Sequence, residues 1–299
     1  MYPVSQTGHD SATGAHAEVA HESRWRRALL RYAEQVIEAS QLLAAYDRHL
    51  RCEAEMQGAA SVERRGPLWL AVFGEEDEPR TGFVSYGSLA GVEVEAAAAS
   101  LADWVGAHPE LSEVEVKTRA HDVAPGWHDA LLGLGFRPEE TESVMVGPVD
   151  GLLADAPEPP EKVRLLPALT REQMYAAARM EDAVFGSELA ERIVPELLRR
   201  RAAGDPVTLW FAEADGRVIS AGRIDPVAGT PFAGVWGGAT LPEYRGRGIY
   251  RALTAARAAS VLELGVRYIH SDSTEHSRPI LERAGLVKVT ETTPYVLHR

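Results

Sequence analysis

The residues of this chain best suited to chemistry stand together at 241–253, Leu-Pro-Glu-Tyr-Arg-Gly-Arg-Gly-Ile-Tyr-Arg-Ala-Leu. Gly246 and Gly248 let the backbone come close to a ligand and take dihedrals that other residues resist. A helix starting near Ile249 offers unpaired N–H groups and the positive end of its dipole at the same point. Arg245, Arg247 and Arg251 add positive charge. Such a segment is suited to holding a phosphate diester. It lacks the lysine and hydroxyl of G-x-x-x-x-G-K-[ST], and it lacks the G-x-G-x-x-G order with a ribose-binding acid about twenty residues on. A basic turn that merely caps a helix is the plainer alternative.

The elements around this loop follow from periodicity and turn residues. Residues 232–240, with Gly237-Gly238 near their end, read as a strand, so the order is strand, anion-binding loop, helix. The glycine pair suits a bulge that frees backbone groups, or a simple kink. In the rest of the second half, strands are predicted at 163–166, 207–213, 217–224, 266–271 and 286–297. Helices are predicted at 171–183, 189–202, 250–264 and 277–284. Asp215-Gly216 is a hairpin turn, and Gly265 stops the helix before it. The first half carries a similar series, with helices at 26–57, 93–107 and 127–134 and strands at 68–73, 82–86, 113–118 and 141–146. Leu68-Trp-Leu-Ala71 echoes Leu209-Trp-Phe-Ala212, and Leu131-Leu-Gly-Leu-Gly-Phe136 echoes 281–286. A repeat of such long period indicates duplicated domains. The mixed order implies an α/β fold of sheets flanked by helices. Where the second half has its basic loop, the first has Ser-Leu-Ala-Gly-Val-Glu-Val-Glu at 88–95, with two carboxylates and no arginine. That segment would repel a pyrophosphate.

The loop resembles the cofactor loop of the GNAT N-acyltransferase family, whose signature is [QR]-x-x-G-x-[GA]. Arg245 and Gly248 match it; Tyr250 stands where the family prefers Gly or Ala. Pro-Ile-Leu-Glu-Arg-Ala-Gly-Leu at 279–286 is similar to the family's late helix, and the resemblance covers 163–299. It implies two tandem GNAT-like domains, each a mixed, mostly antiparallel sheet flanked by helices. It implies acetyl-CoA as cosubstrate, with no metal. Gly238, Ala239 and Thr240 would hold the pantetheine and acyl carbonyl, and Arg245, Gly246, Arg247, Gly248, Ile249 and Tyr250 the pyrophosphate. The implied reaction is direct attack of a primary amine, on an acceptor that the sequence does not identify. An acyl-CoA-binding sensor or scaffold is the alternative.

The family's general acid is a tyrosine of the late helix, but here that position is Leu281. Tyr295, Ser273 and His276 are replacement candidates. The usual base is a carboxylate near the sheet centre, and 232–240 carries none. His270 and Asp272 remain, with Glu181, Asp182 and Asp225. An unshifted histidine titrates near neutral pH, and residues 270 and 272 share one face of a strand. The expected catalytic set is therefore His270, Asp272 and Tyr295. Trp236 lines the acceptor pocket or packs in the core.

Composition bounds these readings. The chain has 299 residues, 45% apolar and 25% charged, enough for two domains. The expected division is a disordered leader at 1–23, a degenerate domain without a cofactor loop at 24–150, a Pro-rich acidic linker at 151–162 and the acyl-CoA-binding domain at 163–299. No run of 18 apolar residues is present, and Cys52 is the single cysteine, which fits a cytoplasmic protein with no membrane span. Residues 1–150 hold 25 Asp and Glu against 12 Lys and Arg, whereas 151–299 hold 19 of each. An acidic first half repels nucleic acid and can draw in a cationic amine. A monomer or a homodimer is expected.

Overall fold

Two similar runs of apolar and aromatic residues start the sheets of the two halves. Leu68, Leu70 and Val72 of the first, and Leu209 and Phe211 of the second, alternate into the core. In the computed structural model, residues 38–74, 79–154 and 156–299 are described. The expected leader at 1–23, and the start of the first predicted helix, lie outside the described residues.

The first half runs α1 (38–49), a 3-10 turn at Cys52–Met56, β1 (Ser61–Arg65), β2 (Leu68–Phe73), β3 (Arg80–Tyr86), α2 (Val94–Ala107), β4 (Leu111–Arg119), α3 (Trp127–Gly133), β5 (Arg137–Pro138), β6 (Glu142–Pro148) and α4 (Val149–Ala154). The second runs β7 (Val163–Pro167), α5 (Arg171–Phe185), α6 (Ala190–Ala202), β8 (Thr208–Ala214), β9 (Arg217–Pro226), β10 (Phe232–Thr240), α7 (Ile249–Ala259), β11 (Tyr268–Ser273), α8 (Arg278–Arg283) and β12 (Val287–His298). Local signals explain the boundaries. Thr170 and Gln173 form a capping box at the start of α5. Asp215 and Gly216 both take positive φ between β8 and β9, as a two-residue hairpin requires. The predicted helix at 250–264 ends earlier, at Ala259, and a 3-10 turn at Leu262–Leu264 completes it.

Each half contains a parallel crossover: β3–α2–β4 in the first, β10–α7–β11 in the second. Their final strands are exchanged. The sheet order is β1-β2-β3-β4-β12-β6-β11-β10-β9-β8-β7, with β5 paired to β12. The last strand of the second half, β12, thus lies against β4 of the first, and β6 of the first lies against β11 of the second. One continuous sheet results.

The segment expected as a linker at 151–162 begins inside α4. Val149 and Leu152 of α4 are buried in the cluster that α7 forms with the sheet, so this stretch is packed at its start. Helices cover both faces of the second half. Leu209 and Phe211 of β8 meet α5 and α6, whereas Trp210 between them meets α7. The face covered by α5 and α6 and the face covered by α7 are therefore opposite sides of the sheet.

Candidate active site

The cleft forms where β10 leaves β11 and bulges against β9. Its parallel pairing with β11 covers only Phe232, Ala233 and Gly234, opposite Tyr268, Ile269 and His270. From Val235 onward the strands diverge. On the other edge, the register with β9 slips between Trp236 and Ala239, a bulge in which Gly237 has φ +64°. Backbone groups of β10 on the β11 side are thereby left without ladder partners, as an acyl carrier held along the strand requires. The corresponding strand of the first half is less open. β3 pairs with β2 without a slip, and with β4 it slips only at its start, between Arg80 and Thr81, and pairs as far as Val84 and Val116.

Below the opening, Thr240 is held by Ser220, whose Oγ lies 2.8 Å from Thr240 Oγ1. The chain then turns through residues 245–248 into α7. Gly246 and Gly248 have φ +73° and +77°, conformations that favour glycine. Gly248 is the N-cap of α7, and the first N–H groups of the helix have no intrahelical acceptor. Arg245 Nε donates to Thr240 O at 3.0 Å, and an Arg247 amine donates to Glu243 O at 2.9 Å. These bonds fix the loop while leaving its basic charge around the helix N-terminus. A cleft of about 770 Å³ runs from here to the bulge, lined by residues 235–240, the loop, Tyr250 and residues 271–274. This geometry suits a pyrophosphate at one end and an extended thiol arm at the other.

Two side chains stand at the bulge from opposite faces. A β-carbon on Gly238 would overlap the hydroxyl of Tyr250, which comes from the α7 side. Tyr250 is the position where the signature has Gly or Ala, and Gly238 makes the room for its ring. A β-carbon on Gly237 would sit 3.1 Å from the Glu181 carboxylate, which comes from α5. Glu181 Oε1 is sealed from solvent without a hydrogen-bond partner. Burial pushes this carboxyl up to about 8, against the opposing pull of Arg257 and Arg223. Arg257 is itself fully buried, over Tyr250 and under Gly222, and it donates to Arg223 O at 3.1 Å.

The other expected groups are placed as follows. His270 and Asp272 do share a face, and both border a chamber beside Trp236. His270 is buried, edge-on to Trp236 at 5.3 Å, and neither ring nitrogen has a partner. Burial lowers its pKa to about 4, so it is neutral at pH 7 and holds protons weakly. Burial alone would raise Asp272, but Lys117 of β4 outweighs that and holds it below the usual carboxylate range. Its Oδ2 is ion-paired with Lys117. Asp272 does not touch His270 through a hydrogen bond.

Tyr295 is not at the cleft. It lies on β12, opposite Val116 of β4, in the core of the first half, and its hydroxyl bonds His128. The strand exchange carries it away, which removes it from the catalytic set. Asp182 accepts from Leu189 N and Ala190 N at 2.9 Å and so caps α6. Asp225 is clamped by Arg200 at 2.6 and 3.0 Å. Ser273 and His276 do line the cleft. Leu281 is buried at the cleft wall, in a cluster against which Tyr250 packs.

The chain is similar in sequence and in fold to known proteins. Residues 153–271 match the family described as Acetyltransferase (GNAT) domain. A GCN5-related N-acetyltransferase from Kribbella flavida superposes with TM-score 0.62 at 15% identity, over 81% of this chain and 92% of that one. A conserved protein of unknown function from Staphylococcus epidermidis gives 0.61 at 12% identity, over 82% and 95%. A tandem GNAT protein from the clavulanic acid biosynthesis pathway gives 0.59 at 15% identity, over 89% and 95%. No curated protein matches the sequence. Residues 153–271 are thus similar to a GNAT acetyltransferase domain, and the chain as a whole has the fold of the GNAT proteins, a tandem one among them.

Proposed function

We propose that the second half transfers the acetyl group of acetyl-CoA to a primary amine of a small acceptor. The observation that carries this reading is the opening of β10 from β11, with a bulge against β9, directly above a glycine nest at the N-terminus of α7. When bound, acetyl-CoA supplies an acyl carbon activated by a thiolate leaving group. Gly246, Gly248 and the first N–H groups of α7 would hold its pyrophosphate, with Arg245 and Arg247 lending charge, and residues 238–240 would align the thiol arm. The amine nitrogen then forms the new C–N bond as the C–S bond breaks. Cys52, half-buried in the first half, is not placed at the cleft to carry an acyl group. A single free cysteine fits a cytoplasmic enzyme.

Two proton positions follow from the bulge. Glu181, ionised above about pH 8, accepts the proton that the amine loses on the α5 face. The Tyr250 hydroxyl, against Gly238 on the opposite face, gives a proton to the departing sulfur. Tyr250 thus replaces the acid whose family position is occupied by Leu281. We expect Tyr250→Phe to lower kcat about a hundredfold while the dissociation constant of acetyl-CoA stays within threefold. A variant with parental kcat would remove Tyr250 from this role.

Calorimetry with acetyl-CoA tests the cofactor assignment, and one equivalent per chain is expected. In the first half, β3 keeps its ladder with β2 without a slip, Leu89 of the corresponding loop is buried and no arginine stands there. Two equivalents would overturn the division into one binding half and one that binds no cofactor.

A further inference from the structure

The two halves enclose a chamber of about 640 Å³ on the α5 face of the sheet, a size common for small-molecule sites. Trp236 and Asp272 border both this chamber and the cleft. From the first half come Leu50, Phe73 and Phe83, and from the second Val227 and Trp236, which make the apolar part of its walls. The polar atoms between them are incomplete. His270 is 8% exposed and both its ring nitrogens lack a partner. The Asp272 side chain is also 8% exposed; one oxygen pairs with Lys117 and the other, Oδ1, has none. Buried acceptors left unmatched cost folding free energy, so they mark where a ligand donor belongs.

Carboxylates outnumber cations among the residues that border the chamber, and each is ion-paired. Glu55, Glu196, Asp205, Asp225 and Asp272 border it, against Lys117 and Arg200. Arg200 is used by Asp205 and Asp225, and Glu55 by Arg119 from the adjoining strand. Glu196 is paired with Arg199 and Asp272 with Lys117, so of these carboxylates it is Asp272 Oδ1 that is left to accept from a donor such as an ammonium.

We infer that this chamber is the acceptor site, and that the acceptor is a primary amine on an apolar body of aromatic size, selected by the first half. The inference rests on the acyl-transfer reading above. Phe73 and Phe83, 6.4 Å apart and edge-to-face, take the apolar body. Asp272 Oδ1 and His270 accept from the amine as it passes Trp236 toward the bulge. The first half, which has no cofactor cleft of its own, is then a specificity module: its strands and the turn at Cys52–Met56 form the wall facing Trp236.

The test is turnover of acetyl-CoA with 2-phenylethylamine, ethanolamine and glucosamine as probes. The parent protein is expected to use 2-phenylethylamine with a kcat/KM at least tenfold above the two polar amines. Ala54→Trp fills the chamber from the first half, and Phe83→Gln makes its wall polar; each is expected to lower that kcat/KM at least tenfold. Calorimetry should show acetyl-CoA affinity within twofold of the parent in both. Equal use of the polar amines, or parental kcat/KM in both variants, would overturn the inference. So would acetyl-CoA binding with no turnover of 2-phenylethylamine. Absence of acetyl-CoA binding by the parent overturns the acyl-transfer reading itself.

Discussion

Gly248→Asp should raise the dissociation constant of acetyl-CoA at least a hundredfold. Gly248 is the N-cap of α7 with φ +77°, and the loop N–H groups converge around it. An aspartate there sets a negative charge at the positive end of the helix, where the pyrophosphate would lie. It also places a non-glycine residue in the left-handed region, at a cost of about 1 kcal/mol. Gly248→Ala separates the two effects, because it carries the strain without the charge. The alanine variant should weaken binding by tenfold or less. Calorimetry measures both constants, and thermal melting verifies that the variants fold. A folded aspartate variant that binds within threefold of the parent would refute the loop as the pyrophosphate site.

Glu181→Gln should lower kcat about a hundredfold or more, as removal of a general base does. The parent rate should rise with pH through a limb near 8, where Glu181 ionises. The glutamine variant should lack that limb. Stability provides a second readout with a definite sign. The folded-state pKa lies above the ordinary 4.5, so the folded state holds this proton more tightly than the unfolded chain. Its contribution is fully present below pH 4.5 and is lost as the pH rises through 8. The variant cannot ionise and avoids this loss. Its melting temperature should therefore gain on the parent between pH 5 and pH 9. An alkaline limb that persists unchanged in Glu181→Gln would assign it to another group.

His270 illustrates how burial changes a chemical reading. A histidine on a strand beside the cleft is a natural base at its ordinary pKa. Enclosed between Trp236 and Phe232, and without a hydrogen-bond partner, it falls to about 4. The field of Lys117, from the other half of the chain, adds to the lowering. A group that holds its proton so weakly is better suited to accept a hydrogen bond than to carry a proton away.

The sequence by itself determined the features that depend on neighbouring residues. Gly246 and Gly248 before an apolar helix specify a nest, Asp215-Gly216 specifies a hairpin, and Gly237-Gly238 specifies a break in a strand. Most of the order of elements, and the lack of a basic loop in the first half, follow from the same short-range signals, whereas β1, β5 and α4 were not expected. The tyrosine in place of Gly or Ala at 250 was visible too, although what it meets was not. Only the tertiary structure decided which strands pair. Each half ends in a strand, and the alternation of side chains along a strand does not specify which neighbour it takes. The exchange of β6 and β12 is therefore not written in either strand alone, yet it takes Tyr295 out of the site and brings Lys117 to Asp272. The same holds for Glu181. Its chemistry comes from burial beside Gly237, opposed by two arginines distant in sequence, and pKa shifts arise from surroundings that only a folded chain assembles.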